Sequence, residues 1–374
     1  MPDVQNSSEM PTVEQAGAIL TIDLGAIREN FRRLQARLSH GKCAAVVKAD
    51  SYGLGAARVA RALVKEGCDT FFVAHAGEGI SLRNSIGQGF DIYVLNGVTP
   101  GAENDCAAAG LIAVCNSPQQ LGAWRDAARV LGRTLPVAVQ VDSGMSRLGM
   151  ARSEVEALAV DPGAFDGLDL RLVMSHLACA DEPDHPANEL QRHIFEMLRA
   201  KLPAAPASFA NSSGIFLGEA FHYDIARPGA ALYGINPTPG LPNPMLPVVQ
   251  MSAKVIQSRL LETGIGVGYG HSFRTERSHT VATISLGYAD GWHRRAVASG
   301  YVDGVRLPFA GRVSMDSIIL DTSALAPDRL QAGDLVEMIG PNQTVDDVAG
   351  MAGTIGYEIL TSLGSRFHRA YLNG

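Results

Sequence analysis

The sequence lacks the patterns that mark several common classes of protein. Its five cysteines are scattered without a Cys-x-x-Cys pair, and its ten histidines include no His-Glu-x-x-His motif, so a metal site has little support. No apolar run approaches the roughly 18–20 residues of a membrane span. There is no basic run, and the formal net charge is −7, which argues against nucleic acid as a partner.

The beginning of the chain also lacks a secretory signal, because residues 1–15 are polar and mildly acidic, with no basic segment followed by an apolar one. We expect residues 1–17 to form a flexible tail. An odd number of unpaired cysteines fits free thiols in a reducing compartment, so we expect a cytoplasmic protein. The 374 residues, 46% hydrophobic and 18% charged, predict one large globular domain and a second domain.

From residue 18 onward, short apolar segments alternate with amphipathic helical stretches. The strand candidates are 19–24, 44–48, 70–74, 92–96, 112–116, 136–142, 170–176, 208–211 and 223–227, and the helix candidates include 26–38, 56–66, 76–87, 118–131, 152–159 and 187–200. About eight strand–helix units over about 200 residues predict a (β/α)8 barrel of the TIM type. An open doubly wound sheet is disfavoured because Gly-x-Gly-x-x-Gly is missing.

The pattern changes after a proline-dense segment at 236–247, which predicts a stiff linker. The strand candidates beyond it are 248–261, 279–284, 305–309, 317–321 and 335–339, and one helix is expected over 345–353 with Thr344 as its cap. We therefore predict a barrel over 18–245, whose first strand (18–24) could pair with the C-terminal domain, and a mainly β domain over 246–374.

The active site of such a barrel lies at the carboxyl ends of its strands. The residues at these ends are Lys48, His176, Asn211, Ser212 and Arg227. A lysine at the end of an apolar strand is partly desolvated, which lowers its pKa and frees its amine as a nucleophile. Backbone N–H groups after Arg227, in Pro-Gly-Ala-Ala, suit a phosphate. Each feature has an ordinary structural explanation, but together they indicate a lysine-anchored phosphorylated cofactor, pyridoxal 5′-phosphate.

Eight motifs resemble those of the alanine racemase family, in family order and over residues 18–371. They are 45–55 (AVVKADSYGLG), 141–149 (VDSGMSRLG), 175–182 (SHLACADE), 227–234 (RPGAALYG), 268–270 (GYG), 287–291 (GYADG), 314–316 (SMD) and 354–358 (TIGYE). The resemblance implies interconversion of L- and D-alanine through an external aldimine of pyridoxal 5′-phosphate. Lys48 and Tyr269 would be the two bases, on opposite faces of the substrate α-carbon.

The resemblance also assigns the remaining site residues. Arg227 would bond to the pyridine nitrogen, and His176 would support the ring. The phosphate-binding set would be Tyr52, Ser212, the backbone of Gly229 and Ala230, and Tyr357, with Asn211 in the same cofactor-binding loop. Arg147 and Met315 would receive the substrate carboxylate, Arg147 would also lie near the phenolic oxygen of the cofactor, and Tyr288 would narrow the entry. The β domain would supply Tyr269 and Met315 to a partner chain in a homodimer.

Lysine and tyrosine both have unperturbed pKa values near about 10, so each needs a lowered pKa to act near neutrality. Cations such as Arg227 or a charged His176 would favour the phenolate of Tyr269. One departure from the family is Gln140, which stands where a carbamylated lysine often orients the arginine; its amide could still accept a hydrogen bond from Arg147. A smaller departure is Gly356 before Tyr357.

Two other classes of protein fit the sequence less well than the alanine racemase family. The fold-related amino-acid decarboxylases carry a triple-glycine loop and a catalytic cysteine that this sequence lacks, and the single-barrel cofactor carriers lack a β domain. The role stays open between making D-alanine for the cell wall and breaking alanine down.

Overall fold

The computed structural model describes residues 11–374, which form two compact units. The barrel unit is Gly25–Leu246, and the β unit is the described part of Met1–Leu24 together with Pro247–Gly374. The first ten residues of the predicted tail lie outside the described residues. Within 11–374, no helix combines the length and the apolar character needed to cross a bilayer.

Parallel strands curl round the barrel unit in chain order. The seven strands of the main sheet are Ala45–Val46, Thr70–Val73, Asp91–Val94, Ile112–Cys115, Leu135–Gln140, Leu168–Met174 and Ala207–Ser208. An eighth strand, Ile225–Ala226, pairs in parallel with Lys42–Cys43 just ahead of the first. Arg227 N also donates to Ala210 O at 2.9 Å, beside the seventh strand. These bonds link the last strand back to the first, so the predicted barrel class is confirmed.

Most residues of the barrel strands are buried. All four residues of Thr70–Val73 and of Ile112–Cys115 are buried, as expected where helices cover a parallel sheet. The helices are Leu24–Arg37, Lys48–Gly53, Ala56–Val64, Ala76–Ile86, Glu103–Ala108, Pro118–Leu131, Arg152–Val160 and Ala187–Arg199, with 3-10 turns at Ser213–Phe216, Glu219–Phe221 and Ala230–Tyr233. Local sequence sets their ends: Ser117 caps the sixth helix, and Gly132 ends it in a left-handed conformation.

The β unit is built on one long strand, Val249–Leu261. It pairs antiparallel with Ala18–Asp23, Leu335–Ile339 and His279–Ile284, and its register with the last of these shifts between Val255 and Gln257. The other strands of the sheet are Ser299–Val302, Val305–Pro308, Ile318–Asp321 and His368–Leu372. A hairpin (Gly266–Val267 with Phe273–Arg274) and the helices Val345–Ala352 and Gly356–Ser362 complete a mainly β domain. Thr344 caps the first of these helices as predicted, accepting from Asp347 N at 3.1 Å.

The segment predicted as a stiff linker is instead folded back on the barrel unit. Asn236 Nδ2 donates to Leu241 O at 2.9 Å, and Asn243 Nδ2 donates to Gly234 O at 2.8 Å. Arg33 of the first helix donates to Pro244 O at 2.9 Å. The abundance of proline predicted an extended linker, but hydrogen bonds from asparagine side chains turn the segment into a packed loop.

Residues 11–17 are held on the sheet of the β unit, in contrast to the flexible tail expected there. Lys254 N donates to Gly17 O at 2.8 Å, and His368 Nδ1 lies 3.0 Å from Pro11 O. Ala16 is buried. The strand Ala18–Asp23 continues this segment into the sheet.

Candidate active site

Lys48 directly follows the first barrel strands and begins an unusual turn. The next four residues, from Ala49 to Tyr52, all have a left-handed backbone, with φ between 51° and 56° and ψ between 38° and 52°. This conformation costs non-glycine residues about 1–2 kcal/mol each, so the surroundings must hold it. Gly53 and Gly55 also have positive φ, with Leu54 between them at −101°.

Hydrogen bonds fix this left-handed turn on several sides. Ser51 N donates to Val47 O at 2.9 Å, and Gly55 N donates to Asp50 O at 2.9 Å. The Asp50 carboxylate accepts from Ala56 N at 2.7 Å. From outside the turn, Glu78 Oε1 accepts from Ala49 N at 2.8 Å. Lys48 is therefore presented by a rigid segment.

The environment of Lys48 favours its neutral amine. Burial lowers the pKa of Lys48 most, the Arg147 guanidinium lowers it further, Glu78 raises it, and Arg227 lowers it. The direction is the one expected for a lysine at the end of an apolar strand.

Arg227 is a buried cation at the same edge of the barrel. It donates to Ser175 O at 2.7 Å and to Ser208 Oγ, and its Nη2 lies 3.4 Å from His176 Nδ1. Burial lowers the pKa of Arg227 to about 9, which leaves the guanidinium charged near neutral pH. Because a guanidinium can only donate, His176 Nδ1 is an acceptor and the ring proton lies on Nε2.

His176 itself is neutral. Burial and the positive charges of Arg227, Arg147 and Lys48 lower the pKa of His176 to about 3. A charged His176 was one of the two cations offered to explain a phenolate at Tyr269, and that part of the prediction is wrong. The physical reason is the burial of the ring, to which the neighbouring positive charges of Arg227 and Arg147 add.

Four of the residues predicted to hold a phosphate, Tyr52, Ser212, Gly229 and Ala230, lie together in the barrel unit. Ser212 Oγ accepts from Gly229 N at 3.0 Å and from Ala231 N at 3.2 Å. A Cβ on Gly229 would lie 3.0 Å from Tyr52 Cζ and closer still to the phenol oxygen, so only glycine leaves room there. Ala230 begins the 3-10 turn beside them.

These features fit pyridoxal phosphate: a lysine amine, a buried cation at the strand ends, and hydroxyls beside loop N–H groups. Asn211 shapes the loop, because its Oδ1 accepts from Gly214 N at 2.9 Å.

The loop that carries Arg147 is ordered by a carboxylate. Asp142 Oδ1 accepts from the N–H groups of Gly144, Met145 and Ser146 at 2.9–3.1 Å. Arg147 is exposed, whereas Gln140 is buried at the end of its strand. Among residues 11–374, no hydrogen bond joins Gln140 to Arg147, so the amide does not replace the family's lysine in the way we suggested.

The β unit carries the other predicted residues. Tyr269 is 68% exposed, Met315 52% and Tyr288 42%. Tyr269 lies in a turn between Gly268 and Gly270, both at positive φ. The loops of Tyr288 and Met315 are joined by Ala289 N donating to Met315 O at 2.9 Å. Tyr357 lies in the helix Gly356–Ser362.

Two supporting residues were missed from the sequence. The Glu78 carboxylate accepts a hydrogen bond from Ala49 N, in the turn that follows Lys48. Its place as the third residue of a helix could have indicated a capping role, but not this contact. Gln191 is buried and holds the loop of His176: its Nε2 donates to His176 O at 3.0 Å, and its Oε1 accepts from Ala178 N at 2.9 Å. A glutamine in mid-helix gives no such signal.

Comparison with known proteins gives a consistent match over both units. Residues 22–237 match the model of the alanine racemase N-terminal domain, and residues 248–371 match that of the C-terminal domain. A relative from Mesorhizobium japonicum named "Alanine racemase, catabolic" is 68% identical over 96% of this chain and 94% of its own. One of the same name from Agrobacterium fabrum is 50% identical over 96% and 92%. The crystal structure of alanine racemase from Bartonella henselae with covalently bound pyridoxal phosphate is 43% identical, with a TM-score of 0.91 over 96% of this chain and all of that one.

Proposed function

This chain belongs to the alanine racemase family, and we propose that it interconverts L- and D-alanine with pyridoxal 5′-phosphate by a two-base mechanism. The observation that carries the proposal is the grouping of a lysine of lowered pKa, a buried arginine and a glycine–serine cradle at one edge of the barrel. The covalently bound cofactor of the Bartonella henselae relative supports the choice of cofactor.

When bound, the cofactor supplies an electron sink for the pair left on the substrate α-carbon as its proton departs. Lys48 would anchor it covalently through its amine. Ser212, Tyr52 and the N–H groups of Gly229 and Ala230 would hold its phosphate, with Tyr357. Arg227 would donate a hydrogen bond to the ring nitrogen, and the neutral His176 would support the ring without supplying a proton.

Racemisation needs two proton-transfer groups, because a single base returns the proton to the face it came from. Lys48 would serve one face and Tyr269 the other, with Arg147 and Met315 holding the carboxylate. The lowered pKa of Lys48 favours a free amine once that side chain is released. Because His176 is neutral, Arg227 and Arg147 would be the cations that favour the phenolate of Tyr269.

We propose that the enzyme is a homodimer whose sites are shared between chains. Tyr269, Tyr288 and Met315 are exposed on the β unit, and exposed aromatic and methionine side chains are typical of surfaces that meet a partner. The relatives from Mesorhizobium japonicum and Agrobacterium fabrum are both named catabolic, which favours the catabolic role over D-alanine supply.

The substitution Tyr269→Phe tests the mechanism. We expect the holoenzyme variant to lose about 10²-fold or more of its racemisation of L-alanine, because one face has no proton carrier. Cofactor absorbance should be retained, and in heavy water one enantiomer should still exchange its α-hydrogen. Tyr301→Phe, on a strand of the same unit, is the matched control. Racemisation by Tyr269→Phe within threefold of wild type would contradict the two-base mechanism.

A further inference from the structure

We propose that Glu78 is a positioning residue for Lys48: its carboxylate ties the left-handed turn after Lys48 to the loop after the neighbouring strand. Glu78 Oε1 accepts from Ala49 N at 2.8 Å. Its Oε2 accepts from Ala74 N at 2.7 Å and from His75 N at 3.2 Å. One carboxylate thus joins the ends of two adjacent barrel strands.

The contact with Ala49 goes beyond helix capping. A capping glutamate satisfies N–H groups at the start of its own helix, and Glu78 does this with Oε2. Its other oxygen reaches a residue 29 positions earlier in the chain. Glu154 occupies the same third position of its helix and accepts from Ala151 N at 2.8 Å. Across residues 11–374, no hydrogen bond joins Glu154 to a second loop.

The bonded N–H belongs to the peptide that joins Lys48 to Ala49. Fixing this peptide plane fixes the backbone of Lys48 on its carboxyl side, and hence the direction in which the lysine side chain leaves the strand. Ala49 is also the first of the four left-handed residues, where the backbone is held against its intrinsic preference. A charge-assisted hydrogen bond at this position is stronger than one to a neutral acceptor.

Glu78 also contributes a charge to the site. Arg147, Arg227 and the neutral His176 face Lys48 from other strand ends, and burial and both arginines lower its pKa whereas Glu78 raises it. Removing the carboxylate should therefore let the Lys48 amine lose its proton at lower pH. A purely structural cap far from Lys48 would not produce this change.

The experiment compares holoenzyme Glu78→Gln and Glu78→Asp with the matched control Glu154→Gln. The aspartate keeps a charge and can still cap its own helix, but it is too short to reach Ala49. Hydrogen exchange of residues 44–56 is the readout independent of activity. We expect the Ala49 amide to exchange about tenfold or more faster in both Glu78 variants and at the wild-type rate in Glu154→Gln.

The kinetic part rests on the proposed function. Both Glu78 variants should lose kcat on the order of 10- to 100-fold, with KM changed less than about threefold, because a displaced base slows proton transfer more than binding. In Glu78→Gln the acid limb of the pH profile should also move to lower pH. An unchanged Ala49 exchange rate, or equal losses of kcat in Glu78→Gln and Glu154→Gln, would overturn the positioning role. If the wild type does not racemise alanine but Ala49 still exchanges faster in the Glu78 variants, positioning stands and the proposed function fails.

Discussion

Replacing Gly229 by alanine should damage both stability and cofactor binding, for a reason that is geometric. The new Cβ would lie 3.0 Å from Tyr52 Cζ, 3.3 Å from Cε2 and closer still to the phenol oxygen, which is nearer than van der Waals contact allows. The φ of Gly229 is −125°, so the left-handed conformation that favours glycine is not involved. Steric overlap with Tyr52 is therefore the source of the effect.

Tyr52 has little freedom to move away. Its side chain is buried, and its ring packs at 4.8 Å from that of Tyr233, whose hydroxyl donates to Val46 O at 2.9 Å. Overpacking of this kind costs about 1–3 kcal/mol. For a chain of this size we expect the melting temperature of the holoenzyme to fall by roughly 1–4 °C. Displacing Tyr52 from the cradle should weaken cofactor binding about tenfold, or about 1.4 kcal/mol.

The assay combines thermal unfolding with titration of the cofactor. Tyr52→Phe removes the phenol oxygen, the atom nearest to the new methyl, so the double variant should recover about half of the lost stability. Gly122→Ala is the matched control, because within the described residues nothing lies within 4 Å of its Cβ position. On its helix, alanine should be neutral or stabilising by up to about 1 kcal/mol. If Gly229→Ala has the same melting temperature as Gly122→Ala and binds the cofactor within twofold of wild type, the steric reasoning is wrong.

Two further predictions concern charge. Arg83 is buried and donates to four backbone carbonyls at 2.8–3.2 Å, those of Gly87, Phe90, Ala109 and Gly110. Arg83→Met should therefore lower the free energy of unfolding in urea by about 3 kcal/mol or more, while kcat stays near wild type. An unchanged free energy of unfolding would contradict this prediction. Because the pKa of His176 is about 3 in the folded protein, the unfolded chain binds the extra proton as pH falls below about 6.5, and folding loses stability between these values. From pH 7 to pH 5 the wild type should lose about 1–2 kcal/mol more than His176→Asn, and equal losses would show that His176 titrates normally.

The barrel could be predicted because its signal is local and repeated. Runs such as Ile112–Cys115 are apolar throughout, as a strand covered on both faces requires. A single capping residue, such as Ser117, is enough to indicate where a helix begins. The positions of Lys48, His176 and Arg227 followed from the same regularity, since each comes directly after a strand. The mainly β unit was predictable because its strand candidates are separated by turns, with few long helices between them. The path of residues 236–247 was not predictable, because hydrogen bonds from asparagine side chains, and not the prolines, fold this segment back.

The lowered pKa of Lys48 was expected from the sequence, but the neutral state of His176 was not, because it depends on groups brought together from separate strands. A lone histidine at a strand end could be neutral or charged; only its packing beside Arg227, near Arg147 and Lys48, makes the neutral form the stable one. That outcome narrows the chemistry. His176 is neutral near neutral pH and Arg227 is held by Ser175 and Ser208, whereas the surroundings of Lys48 lower its pKa toward the working range. The second proton carrier that we propose, Tyr269, lies outside this set.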